Sequence, residues 1–310
     1  MSIIPVILSF NHPEITSKAI NTVIAQIDLQ KTTPKTPIIL VHNGSEHKHI
    51  ERLKLLYPNI DHLVLTKNIG FSGGANFGIK HAFEKYNHLY SWVLFLTNDC
   101  ELESWPSLEQ NQSSALLAPW IWTRKTDRID SIGGKINLKS GVPSHLKSEE
   151  EFKNYIKTPL KNTYPYVPGS AFLIHQTVFY KLKGFNEAFG TYWEDIDFSL
   201  RALKSGLIIG DLSTFKVRHK IGKTCHKQSY YTTYLFQRNR HWVCRHYIRG
   251  IHSRLLLEIH LLSSWVRLSL KFILSKRYMD FFKLIKAILE PSPLSRISLT
   301  RTNYEIKKLR

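Results

Sequence analysis

The sequence predicts an α/β fold: a mainly parallel mixed sheet flanked by helices, followed by a basic C-terminal helical extension. Three observations predict it. Short apolar runs alternate with helix-like stretches through the first hundred residues. Polar residues suited to chemistry fall just after those runs, where open sheets of this kind bind ligands. The charge is uneven: of a net +19 over 310 residues, 17 Lys/Arg against 4 Asp/Glu fall in residues 226–310. That shift in composition divides the chain into a domain over 1–225 and an extension over 226–310.

Each element has a local signal. The run Ile3–Phe10 reads as a buried first strand; it lacks the basic start and small-residue cleavage site of a leader. A helix follows over about 13–26, with Pro13 placed for its first turn. Residues 37–41 form a second strand, ended by Asn43-Gly44, and a helix over 47–56 is closed by Pro58. A third strand covers 62–66; then come a glycine-rich turn and a helix over 75–86. The fourth strand, 92–96, runs into Thr97-Asn98-Asp99. The stretch 118–161 is less regular, with 127–134 and 139–143 read as loops or a hairpin. In the extension, Tyr278, Phe281, Phe282, Ile285, Ile288 and Leu289 recur at helical spacing between Lys276, Lys283 and Lys286, and Pro291 stops the pattern.

Composition bounds the function. With 43% hydrophobic and 12% aromatic residues the chain can bury a full core, which excludes disordered and collagenous classes. Three scattered cysteines cannot build a disulfide framework and suit a reducing compartment. Glu258, His260, Arg267 and Lys271 interrupt the longest apolar stretch, 255–274, which argues against a spanning helix. The positive charge leaves nucleic acid, an anionic membrane surface or an anionic substrate as partners.

Four constellations carry chemistry. In residues 68–78, Gly70, Gly73, Gly74 and Gly78 surround a strand-to-helix transition. They would admit a ligand close to the backbone and aim unpaired N–H groups at an anion, or simply make a tight turn with close helix–sheet packing. Asp99 leaves an apolar strand, where a carboxylate can hold a divalent cation or cap a turn. Glu194, Asp195 and Asp197 fall in the first turn of a helix beside Tyr192 and Trp193. That cluster suits a general base near a sugar-like substrate, although for Asp197 an i,i+4 ion pair with Arg201 is the better reading. His219 closes another apolar strand among Arg218, Lys220 and Lys223, where it could complete a metal site facing phosphate.

Taken in order, these elements resemble family 2 glycosyltransferases of the GT-A fold, and within them the bacterial rhamnosyltransferase-like branch that builds surface polysaccharides. The matching pieces span about residues 3–225: Ile7–Asn11, the glycine stretch, Asn98-Asp99, Pro168–Ala171, Gly184-Phe185, Glu194-Asp195 and His219. The resemblance implies an inverting, Mg²⁺- or Mn²⁺-aided transfer of a hexosyl or deoxyhexosyl group. The donor would be a dTDP- or UDP-sugar, and the acceptor a hydroxyl of a glycan or lipid-linked molecule. Asn11, His42, Asn43 and Ser45 would line the nucleotide pocket, with Asn68, Gly70, Phe71, Gly73 and Asn76 holding the nucleotide and ribose. Asn98 and Asp99 correspond to the D-x-D-like motif, Asp99 as metal ligand, and His219 to the late metal-ligand histidine. Asp195, with Glu194, corresponds to the general base; Gly169, Tyr192 and Trp193 would face the acceptor. Two departures stand out: His42 replaces the usual aspartate of an Asp-Asn pair, and Thr97-Asn98-Asp99 carries one carboxylate, which Glu101 could assist.

A nucleic-acid-binding protein would need a recognisable module, and none accompanies the tail's Tyr230, Tyr231, Trp242 and Tyr247. An inactive scaffold would not need Asp99, Asp195 and His219. A nucleotidyltransferase would need a basic glycine loop near the N-terminus, which is absent. The expected location is cytoplasmic and peripheral. The extension, outside the catalytic motifs, would rest on the anionic inner face of the plasma membrane. Donor sugar, linkage and oligomeric state stay open.

Overall fold

The structure, a computed structural model, describes residues 2–31, 36–86, 89–108, 115–123, 128–157, 162–219 and 230–294. The boundary expected at 225/226, together with Lys220, Lys223 and Cys225, lies outside the described residues.

The first half alternates as expected: β1 (Ile3–Ser9), α1 (Pro13–Leu29), β2 (Ile39–Asn43), α2 (His47–Leu56), β3 (Asp61–Leu65), α3 (Gly70–Lys85) and β4 (Trp92–Thr97). Then β5 (Cys100–Ser104) and β6 (Ala115–Thr123) are followed by short strands β7 (Ile129–Ser131), β8 (Gly134–Asn137) and β9 (Val142–His145). After α4 (Glu149–Lys157) come β10 (Thr163–Tyr166), β11 (Ala171–His175), α5 (Gln176–Leu182), α6 (Glu194–Lys204) and β12 (Ile208–His219). The chain ends in α7 (Tyr230–Tyr247), α8 (Ile251–Leu274) and α9 (Tyr278–Leu289).

The main sheet has the order β3-β2-β1-β4-β11-β6-β12-β5, and a small sheet the order β10-β8-β9. Strands β3, β2, β1 and β4 run parallel. Beyond them β11 is antiparallel to both β4 and β6, and β5 is antiparallel to β12, so the sheet is mixed. The irregular middle, read as loops or a hairpin over 127–134 and 139–143, resolves into β7, which pairs with β6, and the β8–β9 hairpin.

The glycine stretch is the first correction. It is not a turn before a helix at 75; α3 begins at Gly70. The helix can start there because its glycine face lies flat on the sheet. A Cβ at Gly78 would stand 2.6 Å from Val41 and 2.7 Å from Val6, so only glycine lets the helix lie this close to β1 and β2.

The second correction concerns the extension. The helix α7 is not outside the catalytic motifs. Its Trp242 and Val243 share a core with Phe189, Trp193, Ile196 and Leu200 around the start of α6. Several of its polar residues are spent inside the molecule. Arg240 donates to the Ser140 carbonyl at 2.8 Å and to Ser264 Oγ at 3.0 Å, and Arg245 pairs with Glu258. Trp242 is buried and therefore no base-stacking platform.

Candidate active site

Register assembles the first half of the site. Antiparallel pairing of β5 with β12 sets His219 opposite Cys100, and hence beside Asp99 at the exit of β4. Asp99 Oδ1 accepts from Thr97 Oγ1 at 2.6 Å, and its Oδ2 lies 3.3 Å from His219 Nε2. Asp99, Cys100 and His219 bring one ligand atom each within 4.8 Å of one another. Carboxylate oxygen and imidazole nitrogen suit Mg²⁺ or Mn²⁺, the imidazole favouring manganese. The thiol fits less well. Burial pushes the Cys100 thiol pKa up, and its Sγ lies 3.3 Å from the Ser170 carbonyl, so it stays protonated beside the pair. The donors fit a weakly held ion that needs further oxygens from a bound diphosphate.

The second half is the start of α6. Asp195 is half-buried. Its Oδ1 accepts from the Ile196 amide at 2.8 Å and its Oδ2 from the Gly169 amide at 3.0 Å. Burial raises its pKa, and these two amides act against that rise. The result is a carboxylate more basic than a surface aspartate and fixed in direction. Glu194 differs. It is 5% exposed, its Oε2 has no partner among the described residues, and burial followed by the charge of Asp195 raises its pKa well above the usual range. Glu194 thus offers a buried carboxyl with one oxygen unpartnered among the described residues, whereas Asp195 is half-buried and aimed by two amides, so the geometry favours Asp195 for the base role. Asp197 is fully buried and makes the expected pair with Arg201, Nε to Oδ2 2.8 Å, with Tyr247 donating to its other oxygen.

The two halves meet at two consecutive residues. Gly169 donates to Asp195, while the next carbonyl, Ser170, accepts from the Thr97 amide at 2.9 Å. Thr97 in turn holds Asp99. The acid and the candidate metal carboxylate therefore hang on one short span.

Other expected contacts prove to be internal. The first amides of α3 are not offered to an anion: Gly70 N is taken by Asn68 Oδ1 (2.8 Å), Phe71 N by Thr191 Oγ1 (3.2 Å) and Ser72 N by the Gly190 carbonyl (2.9 Å). The glycine stretch thus docks onto the turn before Asp195. Gly70 has φ +78°, and a Cβ there would stand 2.6 Å from the Gly190 oxygen, so the contact demands glycine. Gly73 continues this packed helix start, under Ile69. Phe71 packs edge-on against Phe95 and Phe185. Asn76 bonds the Phe185 backbone through both amide atoms and also reaches Glu187. Asn43 is buried and ties Ile69 and Gly70 to β2. Asn98 is buried against Thr16 of α1 at 3.0 Å. Trp193 is buried against Phe236, so it is core and not an acceptor platform; Tyr192 stays half-buried. Gly169 serves Asp195 through its amide. Asn11 and Ser45 do meet across the ends of β1 and β2: Asn11 N donates to Ser45 Oγ at 2.9 Å, and Asn11 Oδ1 accepts from Glu46 N at 3.0 Å. This crevice is half-exposed.

His42 is fully buried. It stacks on His62 with centroids 5.2 Å apart, and its Nε2 lies 2.9 Å from His62 Nδ1. His62 Nε2 faces the Tyr57 carbonyl at 3.0 Å, so His62 donates there and accepts from His42. His42 Nδ1 is then a lone pair without a partner; a proton on it would be buried and unbonded. Burial first, then the charge of His62, lower its pKa to about 4. A folded pKa below the unfolded value means that the unfolded chain binds the extra proton. Stability is therefore fully present above about pH 6.5 and falls as the pH drops toward about 4. Urea unfolding at pH 7 and pH 4.5 should show this loss, about 2 kcal/mol from His42, and His42→Leu should remove that share. Equal pH dependence in both proteins would remove His42 as its source.

Comparison with known proteins bears on this geometry. Residues 5–110, from β1 past Asp99, match the family model described as "Glycosyl transferase family 2". The match covers the adjacent parallel strands β1, β2 and β4 and the residues just beyond their ends, Asn11, Ser45 and Asp99. A curated relative, the low-salt glycan biosynthesis hexosyltransferase Agl10 of Haloferax volcanii, is 26% identical over 59% of this chain; the match spans 60% of that relative. Among solved structures, GalNAc-T7 with UDP, GalNAc and Mn²⁺ superposes with a TM-score of 0.58 at 14% identity, over 79% of this chain and 47% of that one. TarS of S. aureus with UDP-GlcNAc gives 0.53 at 14% identity, over 93% and 82%. The fold is the GT-A type, with the central sheet flanked by helices.

Sequence reasoning missed the residues that hold the site together. Thr191 and Gly190 act through a hydroxyl and a carbonyl that no motif marks, and Ser170, although inside the Pro168–Ala171 piece, acts through a carbonyl whose role the motif does not reveal. Asn239 and Arg238 of α7 are buried polar residues in an aromatic-rich helix, and that contrast was the available signal.

Proposed function

We propose that this chain is an inverting glycosyltransferase that moves a sugar from a nucleotide diphosphate donor to a hydroxyl. The carrying observation is the short connection from Asp195 through Gly169-Ser170 and Thr97 to Asp99 and His219. It ties a carboxylate aimed by two amides and a candidate ion-binding pair to one short span of backbone. Inversion in one displacement needs that arrangement: a base behind the acceptor hydroxyl, and positive charge beside the leaving diphosphate.

Asp195 would take the acceptor proton. Its two amide bonds aim the carboxylate. Asp99 and His219 would hold Mn²⁺ or Mg²⁺, which when bound offsets charge on the diphosphate. Asn11 and Ser45 would flank the nucleoside. The match to a hexosyltransferase and the UDP-bound neighbours favour a UDP-sugar over a dTDP-sugar. The acceptor in this reading is a glycan or lipid-linked hydroxyl in cytoplasmic synthesis of surface polysaccharide, and the rhamnosyltransferase-like branch rests on the motif order alone. Nucleic acid has no part in it.

A thermal-shift screen of UDP- and dTDP-sugars, with and without Mn²⁺, tests the proposal. A cognate donor at about one hundred times its Kd should stabilise the fold by about 2.7 kcal/mol. The Mn²⁺-dependent part of that shift should vanish in Asp99→Ala. No shift with any nucleotide sugar, and no nucleotide release, would overturn the reading. An unchanged Mn²⁺ effect in Asp99→Ala would remove Asp99 from the metal site.

A further inference from the structure

Helices α8 and α9 each carry two apolar faces. One face is inward: Leu257, Leu261, Trp265 and Phe272 of α8, with Leu284 of α9, are buried in the core shared with α6 and α7. The other face is outward. On α8, Leu255, Ile259, Leu262, Val266, Leu270 and Ile273 recur every three or four residues and are all exposed, Leu262 by 60%. On α9, Tyr278, Phe282, Ile285 and Leu289 repeat the spacing, with Phe282 62% exposed. The sequence shows a single amphipathic pattern in α9. The structure splits it, turning Phe281 and Ile288 toward the core and these four away. Two outward stripes on neighbouring helices form a larger apolar surface than a water-facing fold normally leaves bare.

Charge identifies the occupant. Arg254, Arg267 and Lys271 are exposed on α8 and Lys276 in the link to α9, while Lys286 of α9, also exposed, holds its ammonium over the Tyr234 ring of α7. The two acidic residues between 249 and 289 are already engaged: Glu258 with Arg245 and Asp280 with Arg277. The hairpin therefore combines exposed apolar stripes with an excess of exposed positive charge. A second copy of the chain would bring like charge against like. A bilayer with anionic headgroups accepts the apolar stripe at the acyl boundary and neutralises the flanking cations. Among the described residues no helix is long and apolar enough to cross a membrane, so the contact is along the surface.

We infer that the outward stripes of α8 and α9 are a membrane-contact face that lays the protein on an anionic bilayer surface. The inference goes beyond the transfer reading, and its readout does not depend on sugar transfer. The probes are phosphatidylcholine vesicles with and without phosphatidylglycerol, in cosedimentation with the full chain. The wild type should pellet with the anionic vesicles and be released as salt is raised. The paired substitution Leu262→Glu with Phe282→Glu should lower partitioning about tenfold or more, and Arg267→Glu with Lys271→Glu should do so by a similar factor. The second pair changes exposed charges only and keeps the test open if the first pair misfolds. The inference fails if the wild type stays in the supernatant, or if a folded variant pair partitions like the wild type. It also fails if the face proves to be the interface of a solution dimer that the same substitutions dissolve.

Discussion

Asp195→Asn should lower sugar transfer by about 10³-fold, within the range a positioned general base contributes. The substitution keeps shape and volume. One amide oxygen can still accept from either the Gly169 or the Ile196 N–H, but the amide group cannot take a proton. The effect should appear in kcat, with donor binding nearly unchanged, because the side-chain bonds of Asp195 go to the Gly169 and Ile196 amides while the Asn11–Ser45 contact is made at the ends of β1 and β2. Glu194→Gln gives the contrast. Glu194 is buried, burial pushes its pKa up, and it makes neither of the two amide bonds that aim Asp195, so the amide should be tolerated and kcat should fall far less. Transfer at the wild-type rate in Asp195→Asn would refute the base assignment. Loss in Glu194→Gln equal to that in Asp195→Asn would put the base on the wrong carboxylate.

How much of this was legible beforehand depends on the distance over which each signal acts. The strands and helices of the first hundred residues were readable because periodicity is local. The i,i+4 pair of Asp197 with Arg201 was readable for the same reason. The strand-exit positions of Asn11 and Asp99 followed from the general behaviour of such sheets. Three features lay beyond that range. The proximity of His219 to Asp99 depends on strand register across more than a hundred residues. The glycine stretch offers amides in sequence, but Gly190 and Thr191 arrive from far along the chain and take them. Trp193 stands beside an acidic cluster in sequence, yet its left-handed backbone (φ 72°) sends the indole into the core under α7. The total charge misled in a similar way: Arg238, Arg240 and Arg245 count toward a basic tail, but they are structural partners of the fold.

Asn239→Leu should lower kcat about 100-fold with little change in donor affinity, although Asn239 touches no substrate. Tyr192 and Trp193 hold consecutive positive φ values, 73° and 72°, immediately before Glu194. For aromatic residues this costs about 1–3 kcal/mol each and persists only when the surroundings enforce it. Asn239, fully buried on α7, supplies that enforcement. Its Nδ2 donates to the carbonyls of Phe189 (2.9 Å), Thr191 (3.0 Å) and Tyr192 (2.7 Å). Arg238 adds bonds to Ala188 and Phe189 and orients Asn239 through its side-chain oxygen. Leucine keeps the branched skeleton, though it is bulkier, and removes this donor from all three carbonyls; Thr191 and Tyr192 lose it outright while Phe189 retains Arg238, a loss of about 3 kcal/mol overall. The turn should then relax toward ordinary backbone, and the first residues of α6 would move with it. A displacement of about 1 Å at Asp195 is enough for the 100-fold loss. The donor crevice lies at the ends of β1, β2 and β4, which α7 does not hold, so nucleotide binding by calorimetry should persist. That split separates positioning from simple loss of fold, which would remove both. Arg238→Met, which removes the companion bonds while sparing Asn239, should show the same split in weaker form. A folded Asn239→Leu with wild-type kcat would mean that Asp195 is held without help from the C-terminal helices.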